Sequence, residues 1–477
     1  MTKFPLVGTL CLIFAAPLAT AQPQYTWGKT SFPADALTGV MGNIIAHPTD
    51  ANTIYQCTTG QIDPISLSMT TGDGLWVSHD AGNSWSVLSD STFLSTYAIS
   101  GLAICRDFSN VMYASTTEYG VFKTTDAGQT WTAVNDGLPF PHVNNSAVAI
   151  AVDPTDPDRV YTSVAQTGGL DIFNLAPSHP GFFTSTNGGN TWTANHSGLP
   201  ARSDSLSDSK SRTGVATSIL VLPQAPNNVL LGMIDVHVNT VLLFGSKSAT
   251  TSGRVFYNGN HGSGSFTEIG SGLPSGITQG TQLGTSVARI SSSTMILSCS
   301  SGPNINVWAT HTGITADVDL VGNSYVVNRS KGPFNTTTGA WSARNGALPY
   351  INNWTDPASS GTSTIKSIAA TTTSAVAVGT GSMSDACLVG TLRSDQGVAS
   401  SNKTKIFGSL DSGASNWIAA WDGGLNDSPT LGYSEANAGS IVFNADMSYA
   451  FASVTWSDAL TTTPLTTDNG IYRVYLR

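Results

Sequence analysis

The chain has 477 residues, of which 10% are charged, and its formal net charge is −10. So acidic a chain, with so few cations, is poorly suited to bind nucleic acid or anionic membranes. Only three of its 30 acidic residues are Glu, and Gly, Ser and Thr are abundant, a composition typical of a β-rich protein with many turns.

The N-terminal residues form a predicted secretion signal. Lys3 precedes the short apolar run Leu6–Leu18, and Ala19–Ala21 fits an A-x-A cleavage site. The run is too short to span a bilayer, and no later run qualifies. We therefore expect residues 1–21 to be a signal peptide, residues 22–477 to be the mature domain, and the protein to be secreted and monomeric.

Sequons and cysteines agree with an extracellular location. The chain has seven N-x-S/T glycosylation sequons, at Asn144, Asn195, Asn328, Asn335, Asn353, Asn402 and Asn426. Four cysteines remain once the signal is removed, namely Cys57, Cys105, Cys299 and Cys387. An even number in an oxidising compartment predicts one or two disulfides, whose pairing the sequence does not fix.

A short motif recurs along the chain: Ser/Thr, any residue, Asp, any residue, Gly, any residue, Ser/Thr, Trp. This Asp-box pattern occurs, in chain order, at Ser78–Trp85, Thr124–Trp131, Ser185–Trp192 and, more loosely, Ser409–Trp417. The Asp can accept hydrogen bonds from backbone N–H groups of a tight turn, the Gly permits the turn's conformation, and the Trp buries its ring at the start of the next strand. The motif predicts fold more than function.

Pairs of apolar strands separated by short turns complete the repeat. Seven such pairs begin at Met41, Ile99, Val148, Ser218, Ser286, Ser367 and Ser440. Each repeat then reads strand, turn, strand, loop, strand, Asp-box turn, strand, which is a four-stranded antiparallel blade. We predict an all-β, single seven-bladed β-propeller, closed by pairing of an N-terminal strand from Tyr25 with a C-terminal strand from Gly470.

This topology separates two ends of the blades. The box end carries the Asp-box turns, such as Thr124–Trp131, and the turns between first and second strands. The loop end carries the blade-to-blade loops and the loops between second and third strands. Ligand sites favour the end where variable loops meet. Candidate side chains on the loop end are His142, Arg202, Arg212, Tyr350 and Trp354 from blade-to-blade loops, and Tyr119, His237, His311 and Arg393 from second-to-third-strand loops.

These residue types favour a uronic-acid substrate. Arg212 and Arg393 could hold a carboxylate in a bidentate pair, which acidifies the neighbouring carbon. His142 or His237 could then take the proton, and Tyr350 or Tyr119 could protonate the leaving oxygen, while Arg202, His311 and Trp354 would bind the glycan. This is β-elimination by a polysaccharide lyase.

Two alternatives stay open. A glycoside hydrolase needs two carboxylates flanking the bond, and the chain has enough Asp residues, although their spacing marks no pair. A non-catalytic sugar binder would repeat aromatic residues at equivalent blade positions, and the loops differ in length and composition. No cofactor is indicated. Calcium stays open, because no Asp-rich loop specifies it.

The boxes, the Asp-Pro-x-x-Val-Tyr strand start at Asp156–Tyr161 and the Trp-to-Gly-Leu-Pro spacing from Trp131 and Trp192 resemble the Asp-box propellers of secreted carbohydrate-active enzymes. Sialidases of this kind use an Arg-Ile-Pro motif, which is missing here. Xyloglucanases carry a catalytic Asp where this chain has Tyr55–Thr59. A single secreted seven-bladed propeller looks most like the fungal rhamnose–glucuronate lyases. That resemblance implies release of L-rhamnose from glucuronate in plant polysaccharide.

Overall fold

A computed structural model gives an all-β fold for the part of the chain that it describes. The described residues are 26–34, 40–59, 72–88, 97–140, 145–166, 181–199, 210–241, 246–269, 277–278, 282–283, 294–299, 307–312, 325–329, 342–343, 370–378, 386–394, 406–409, 434–458 and 464–476. Within them no helix is long and apolar enough to cross a membrane.

The strands of the N-terminal half form four antiparallel sheets, apart from β1 (Gly28–Lys29). Sheet 1 has β2 (Val40–Ala46), β3 (Ile54–Thr59), β4 (Leu75–Ser78) and β5 (Ser86–Val87). Sheet 2 has β6 (Ile99–Ile104), β7 (Met112–Thr116), β8 (Gly120–Thr124) and β9 (Thr132–Ala133). Sheet 3 has β10 (Asn145–Val152), β11 (Val160–Gln166), β12 (Gly181–Ser185) and β13 (Thr193–Ala194). Sheet 4 has β14 (Lys210–Val221), β15 (Val229–Val241), β16 (Ser246–Asn258) and β17 (Thr267–Glu268), and β18 (Ile277–Thr278) and β19 (Gln282–Leu283) also pair with β16.

Three further sheets follow. Sheet 5 has β20 (Thr294–Cys299), β21 (Val307–Thr312), β22 (Tyr325–Arg329) and β23 (Ser342–Ala343). Sheet 6 has β24 (Ala370–Val378), β25 (Cys387–Ser394) and β26 (Ile406–Ser409). Sheet 7 has β27 (Ser434–Phe443), β28 (Tyr449–Asp458) and β29 (Pro464–Tyr475), and β1 is its fourth strand. Several four-stranded antiparallel sheets in chain order are the pattern of a β-propeller.

The strands nearest the two ends of the chain lie side by side. Gly28 pairs with Arg473 and Lys29 with Tyr472. The Thr30 amide extends this pairing by donating to the Ile471 carbonyl oxygen at 2.8 Å. The predicted partnership of an N-terminal and a C-terminal strand is therefore present in sheet 7.

The Asp-box turn Thr124–Trp131 has the predicted internal hydrogen bonds. The Asp126 carboxylate accepts from the Thr130 amide at 2.9 Å and from the Thr130 hydroxyl at 2.6 Å. The Thr124 hydroxyl donates to Asp126 at 2.7 Å and accepts from the Gly128 amide at 3.0 Å. Gly128 has a φ of 91°, which favours glycine. The bonds from Thr130 and then Thr124 lower the pKa of Asp126 to about 2.

In sheets 1 to 4 the turn between the third and fourth strands is tied to the first turn of the same sheet. One backbone N–H donates to a carbonyl oxygen of the first turn: Ala81 to Asn52, Ala127 to Asn110 and Gly188 to Asp158 from three Asp boxes, and His261 to Asn227 from the equivalent turn of sheet 4. The two kinds of turn therefore lie at the same end of these sheets, as predicted for the box end.

The core is divided into layers between neighbouring sheets. Tyr55 of sheet 1 packs in one cluster with Met112 of sheet 2, and Tyr113 of sheet 2 packs in another with Phe183 of sheet 3. Phe182 of sheet 3 belongs to a cluster with sheet 4. Sheets 1, 2 and 3 are therefore each covered on one face by the next sheet in the chain.

A β-bulge in the first strand helps to join neighbouring sheets. The pairing of the first and second strands shifts at one point in six of the seven described sheets, at Met41/Ile44, Ile99/Gly101, Ala147/Ala149, Ala216/Ser218, Thr373/Ala375 and Ala438/Ser440. Polar groups at these bulges bond to the next sheet. Asn43 Nδ2 donates to the Ser100 carbonyl oxygen at 3.1 Å, Ser100 Oγ donates to the Ala147 carbonyl oxygen, and the Ile44 amide donates to Ser440 Oγ at 3.2 Å.

One strand prediction was wrong, in sheet 6. The stretch from Ser367 was predicted as two strands with a turn, but Ala370–Val378 is one strand, β24. In sheet 5 the predicted strand at Ser286 lies outside the described residues, and β20 (Thr294–Cys299) is the first described strand. A run of Thr and Ser resembles a turn in sequence, yet Thr is well suited to a strand.

The disulfide prediction is not supported by the described cysteines. Cys57, Cys105 and Cys387 are buried thiols in or beside sheets 1, 2 and 6. Burial raises the pKa of Cys57 to about 12 and also raises the pKa of Cys105. Cys57 and Cys105 belong to the apolar layers between sheets, where a free cysteine packs as a small hydrophobic side chain, and the Cys105 thiol also donates to the Asp153 carbonyl oxygen at 3.3 Å.

Candidate functional site

The strongest candidates share one end of their sheets. In each sheet, the loop end is where the first strand begins and the second strand ends. Arg212 is the third residue of β14, and His311 and Arg393 are the penultimate residues of β21 and β25. His237 lies four residues before the end of β15, and Tyr119 lies in the turn after β7. The five residues therefore all belong to the loop end, and they come from four sheets, because Arg212 and His237 share sheet 4.

Arg212 and His237 are direct cross-strand partners. The register of β14 and β15 pairs them, and the register of β15 and β16 pairs His237 with Thr250. Thr250 in turn pairs with Thr278 of β18. Directly opposed residues of antiparallel strands share a face of the sheet and have Cβ atoms about 5 Å apart. The two candidates for carboxylate binding and proton abstraction therefore occupy neighbouring positions in one row of sheet 4.

The strands of sheet 4 extend the row beyond the body of the sheet. β14, β15 and β16 have 12, 13 and 13 residues, whereas β6, β7 and β8 have 6, 5 and 5. Arg212 lies four residues before the bulge at Ala216, or about 13 Å along the strand at a strand rise of about 3.3 Å per residue. Sheet 4 therefore projects at the loop end, and the pair lies on the projection.

Arg393 and His311 have matching positions in the next two sheets. Arg393 pairs with Thr371 at the second position of β24, and His311 pairs with Met295 at the second position of β20. His311 also pairs with Tyr325 of β22. Each residue thus stands one position from the loop end of its sheet.

The prediction that His237, His311 and Arg393 lie in loops was wrong, and so was the placement of Arg212 just before its strand. All four lie within strands. The segment Lys210–Val215 shows no clear apolar alternation, so its strand character is hidden, whereas Asp235–Asn239 alternates polar and apolar residues and its strand could have been predicted. His142, Arg202, Tyr350 and Trp354 lie outside the described residues.

Tyr119 stacks on a second tyrosine. The rings of Tyr97 and Tyr119 have centroids 4.1 Å apart and an interplanar angle of 9°. Tyr97 precedes the first strand of sheet 2 and is half-buried, and Tyr119 is 42% exposed. Burial, and to a smaller extent Tyr119, raises the pKa of Tyr97. Tyr97 was not among the candidates predicted from sequence, although an aromatic residue just before a first strand is a usable signal for the loop end.

Glu118 adjoins this pair in a strained conformation. Its φ is 75°, a region that residues with a side chain rarely adopt. The other described non-glycine residues with positive φ are Ala81, Ala127, His261 and Met447, all of which lie in turns at the box end. Glu118 is thus the one described strained residue at the loop end that carries a side chain.

The box end offers a different surface. A depression of about 240 Å³ is lined by Leu102, Ala103, Ile104, Ile150, Ala151, Val152, Pro154, Val221 and Pro223. These residues lie at the ends of the first strands of sheets 2 to 4 or in the turns that follow. No side chain in this lining is a proton donor or acceptor, so the depression is unsuited to acid–base chemistry. Among the described residues no group of three or more His, Cys, Asp or Glu could hold a metal ion.

Known proteins resemble the chain mainly in fold. A family model described as Sortilin-Vps10 (Sortilin, neurotensin receptor 3) matches residues 73–215, less than half of the chain. The crystal structure of the GH74 xyloglucanase from Xanthomonas campestris matches with a TM-score of 0.50 and 14% identity, over 94% of this chain and 55% of that chain. The chain thus spans about half the length of that enzyme. At this identity the likeness shows the fold alone, and it supports a β-propeller.

Two other solved structures are less similar. YCF48 from Cyanidioschyzon merolae matches with a TM-score of 0.44 and 12% identity, over 94% of this chain and 98% of that chain. An ancestral GH74 enzyme matches with a TM-score of 0.30 and 13% identity, over 91% of this chain and 65% of that chain. No curated protein sequence matches the chain.

Proposed function

We propose that this chain is a secreted polysaccharide lyase that cleaves a rhamnose–glucuronate linkage by β-elimination on a seven-bladed β-propeller. The observation that carries the proposal is the cross-strand pairing of Arg212 with His237 on the projecting end of sheet 4. To remove a proton from the carbon next to a carboxylate, an enzyme needs a cation that binds the carboxylate and a general base beside it. Arginine can bind a carboxylate through two hydrogen bonds, and histidine can act as the base.

The seven-bladed ring is supported by contacts between first strands. The described strands form seven sheets, and the first strand of each contacts the first strand of the next: β2 with β6, β6 with β10, β10 with β14, β14 with β20, β20 with β24, and β24 with β27. β27 also contacts β2. In a ring of this order the loop ends of sheets 4, 5 and 6 are neighbours, so Arg212, His311 and Arg393 belong to one side of the propeller.

The proposed reaction assigns each group one task. Arg212, assisted by Arg393, binds the uronate carboxylate and stabilises the negative charge that develops on it in the transition state. His237, with His142 as the alternative base, removes the proton from C5. The electron pair forms the C4=C5 double bond, the bond from C4 to the glycosidic oxygen breaks, and Tyr350 or Tyr119 protonates that oxygen. Arg202, His311 and Trp354 are proposed to bind the rest of the glycan.

A glycoside hydrolase is the second candidate, and the fold likeness to a xyloglucanase favours it. Hydrolysis requires a pair of carboxyl groups on either side of the scissile bond. The strand where xyloglucanases were expected to carry a catalytic Asp is β3, and its residues Tyr55, Gln56, Cys57 and Thr58 are all buried and include no carboxylate. This departure ranks hydrolysis behind elimination.

The test is incubation with gum arabic, pectin and xyloglucan while ultraviolet absorbance and reducing sugar are followed together. An increase in absorbance from an unsaturated uronate supports elimination, and reducing sugar without absorbance contradicts it and supports hydrolysis. Arg212→Ala and His237→Ala are each expected to lower kcat/KM at least about 100-fold. Arg254→Ala is the matched control, because Arg254 belongs to the same sheet but pairs with Glu268 near the box end. Full activity in both loop-end variants would refute the assignment.

A further inference from the structure

The stacked tyrosines of sheet 2 form a rigid platform. One ring face of Tyr119 lies against Tyr97, and Tyr119 as a whole is 42% exposed to solvent. Tyr97 rests in turn on the buried ring of Phe122, whose centroid is 5.8 Å away. An aromatic ring backed in this way loses little conformational freedom when a ligand covers it.

The turn that carries Tyr119 is fixed on both sides. Asn135 Nδ2 donates to the Tyr119 carbonyl oxygen at 2.9 Å, and Asn135 Oδ1 accepts from the Val121 amide at 2.8 Å. The Thr117 amide donates to the Ala98 carbonyl oxygen at 3.0 Å, which joins the turn to the residue after Tyr97. The backbone on both sides of Tyr119 is therefore held in place by hydrogen bonds within the protein.

Glu118 supplies the second observation. A glycine would adopt its φ of 75° without strain, yet the position carries a half-buried carboxylate directly before the exposed ring. Strained backbone of this kind is concentrated at functional positions. A carboxylate accepts hydrogen bonds from two vicinal hydroxyl groups, and an aromatic face packs against the C–H groups of a pyranose ring.

We propose that Tyr119, backed by Tyr97, and the Glu118 carboxylate form a saccharide subsite that binds one pyranose ring of the polysaccharide over sheet 2. The inference rests on the proposed carbohydrate-active function and adds a binding position to it. Stacking uses the ring of Tyr119 and not its hydroxyl group, so this binding role is separate from the proton donation proposed above.

The test measures binding separately from turnover. Native gel electrophoresis in gels that contain gum arabic, pectin or xyloglucan reports the retardation of each variant. We expect Tyr119→Ala to weaken retardation about tenfold in apparent Kd, and Tyr119→Phe to keep retardation, because it keeps the ring. Glu118→Gly is expected to weaken retardation several-fold without lowering the unfolding midpoint, because it removes backbone strain. Tyr475→Ala is the control, since Tyr475 is a 55% exposed tyrosine at the box end.

Three outcomes would overturn the inference. They are wild-type protein that no polysaccharide retards, retardation of Tyr119→Ala equal to that of wild type, and loss of retardation in Tyr119→Phe. The last outcome would show that binding depends on the hydroxyl group and not on the ring. Retardation that depends on Tyr119, in a protein that forms no unsaturated product, would keep the subsite and refute the lyase. Should Tyr119→Ala fail to fold, Tyr119→Phe and Glu118→Gly still decide the question.

Discussion

The sequon at Asn195 is expected to remain unmodified, because its side chain joins two sheets. Asn195 Nδ2 donates one hydrogen to the Gly262 carbonyl oxygen at 2.6 Å and the other to the Gly264 carbonyl oxygen at 2.8 Å. Asn195 follows β13 of sheet 3, and both carbonyl groups belong to the turn before β17 of sheet 4. A glycan replaces one of the two amide hydrogens, so a glycosylated Asn195 cannot make both bonds.

The cost of losing the clamp follows from these two bonds. Each hydrogen bond contributes about 1 kcal/mol net, and Asn195→Asp would place a carboxylate against two carbonyl oxygens. We expect Asn195→Asp to lower the free energy of unfolding by about 2 to 3 kcal/mol. Urea unfolding followed by tryptophan fluorescence would measure the loss.

Ser197→Ala is the matched control. It removes the sequon but leaves the clamp, because Ser197 bonds to Asn195 Oδ1 through its backbone amide. In protein secreted by a eukaryotic host, Ser197→Ala is expected to leave both mass and stability unchanged. A glycopeptide that contains modified Asn195, or equal stability of Asn195→Asp and Ser197→Ala, would refute the reasoning.

Three further expectations concern the fold. Gly137→Ala should destabilise the chain by about 2 to 4 kcal/mol in urea unfolding, because φ is 87° and a Cβ would lie 2.4 Å from the Trp192 carbonyl oxygen. Gly264 has a similar φ of 75°, but a Cβ added there would meet no atom within 4 Å, so Gly264→Ala should lower the free energy of unfolding by only about 1 kcal/mol. Equal losses of stability in the two variants would contradict the steric argument. Burial and raised pKa values should protect Cys57 and Cys105 from alkylation at pH 8 until denaturant is added. Peptide mass spectrometry would measure the labelling, and alkylation of either cysteine in the native protein would contradict the prediction. Because the folded pKa of Asp126 is about 2, its contribution to stability is present above pH 4 and lost as pH falls towards 2. Asp126→Asn should therefore make the unfolding midpoint less dependent on pH between pH 4 and 2. An unchanged pH dependence would argue against the Asp126 hydrogen bonds as its cause.

Local chemistry made the turns of this fold predictable from sequence. The hydrogen bonds of Asp126 and the positive φ of Gly128 depend on residues within one eight-residue motif, so the motif carried enough information. The pairing of Gly28 with Arg473 was also predictable, since an unpaired third strand at one end of the chain needs a partner.

Strand boundaries were less predictable where polar residues continue a strand. Thr371 and Arg393 pair within sheet 6, yet the Thr-rich stretch around Thr371 resembled a turn. The same limit hid the neighbouring positions of Arg212 and His237, because only the register of two long strands brings them together. The role of Tyr97 could not be predicted for a similar reason. It depends on ring contact with Tyr119, and two strands, β6 and β7, separate the two residues in sequence.

The partnership of β1 with β29 has a consequence for biosynthesis. Trp27 is 2% exposed, and it is buried in a cluster that includes Ile441, Tyr472 and Val474. During translation Trp27 is made first, and the residues that bury it, Ile441, Tyr472 and Val474, are added only when synthesis of the chain is almost complete. A chain that ends before Pro464 would lack β29, and Trp27 would then be exposed to water where Tyr472 and Val474 now cover it. We therefore expect such truncated chains to be recognised by cellular quality control and not secreted.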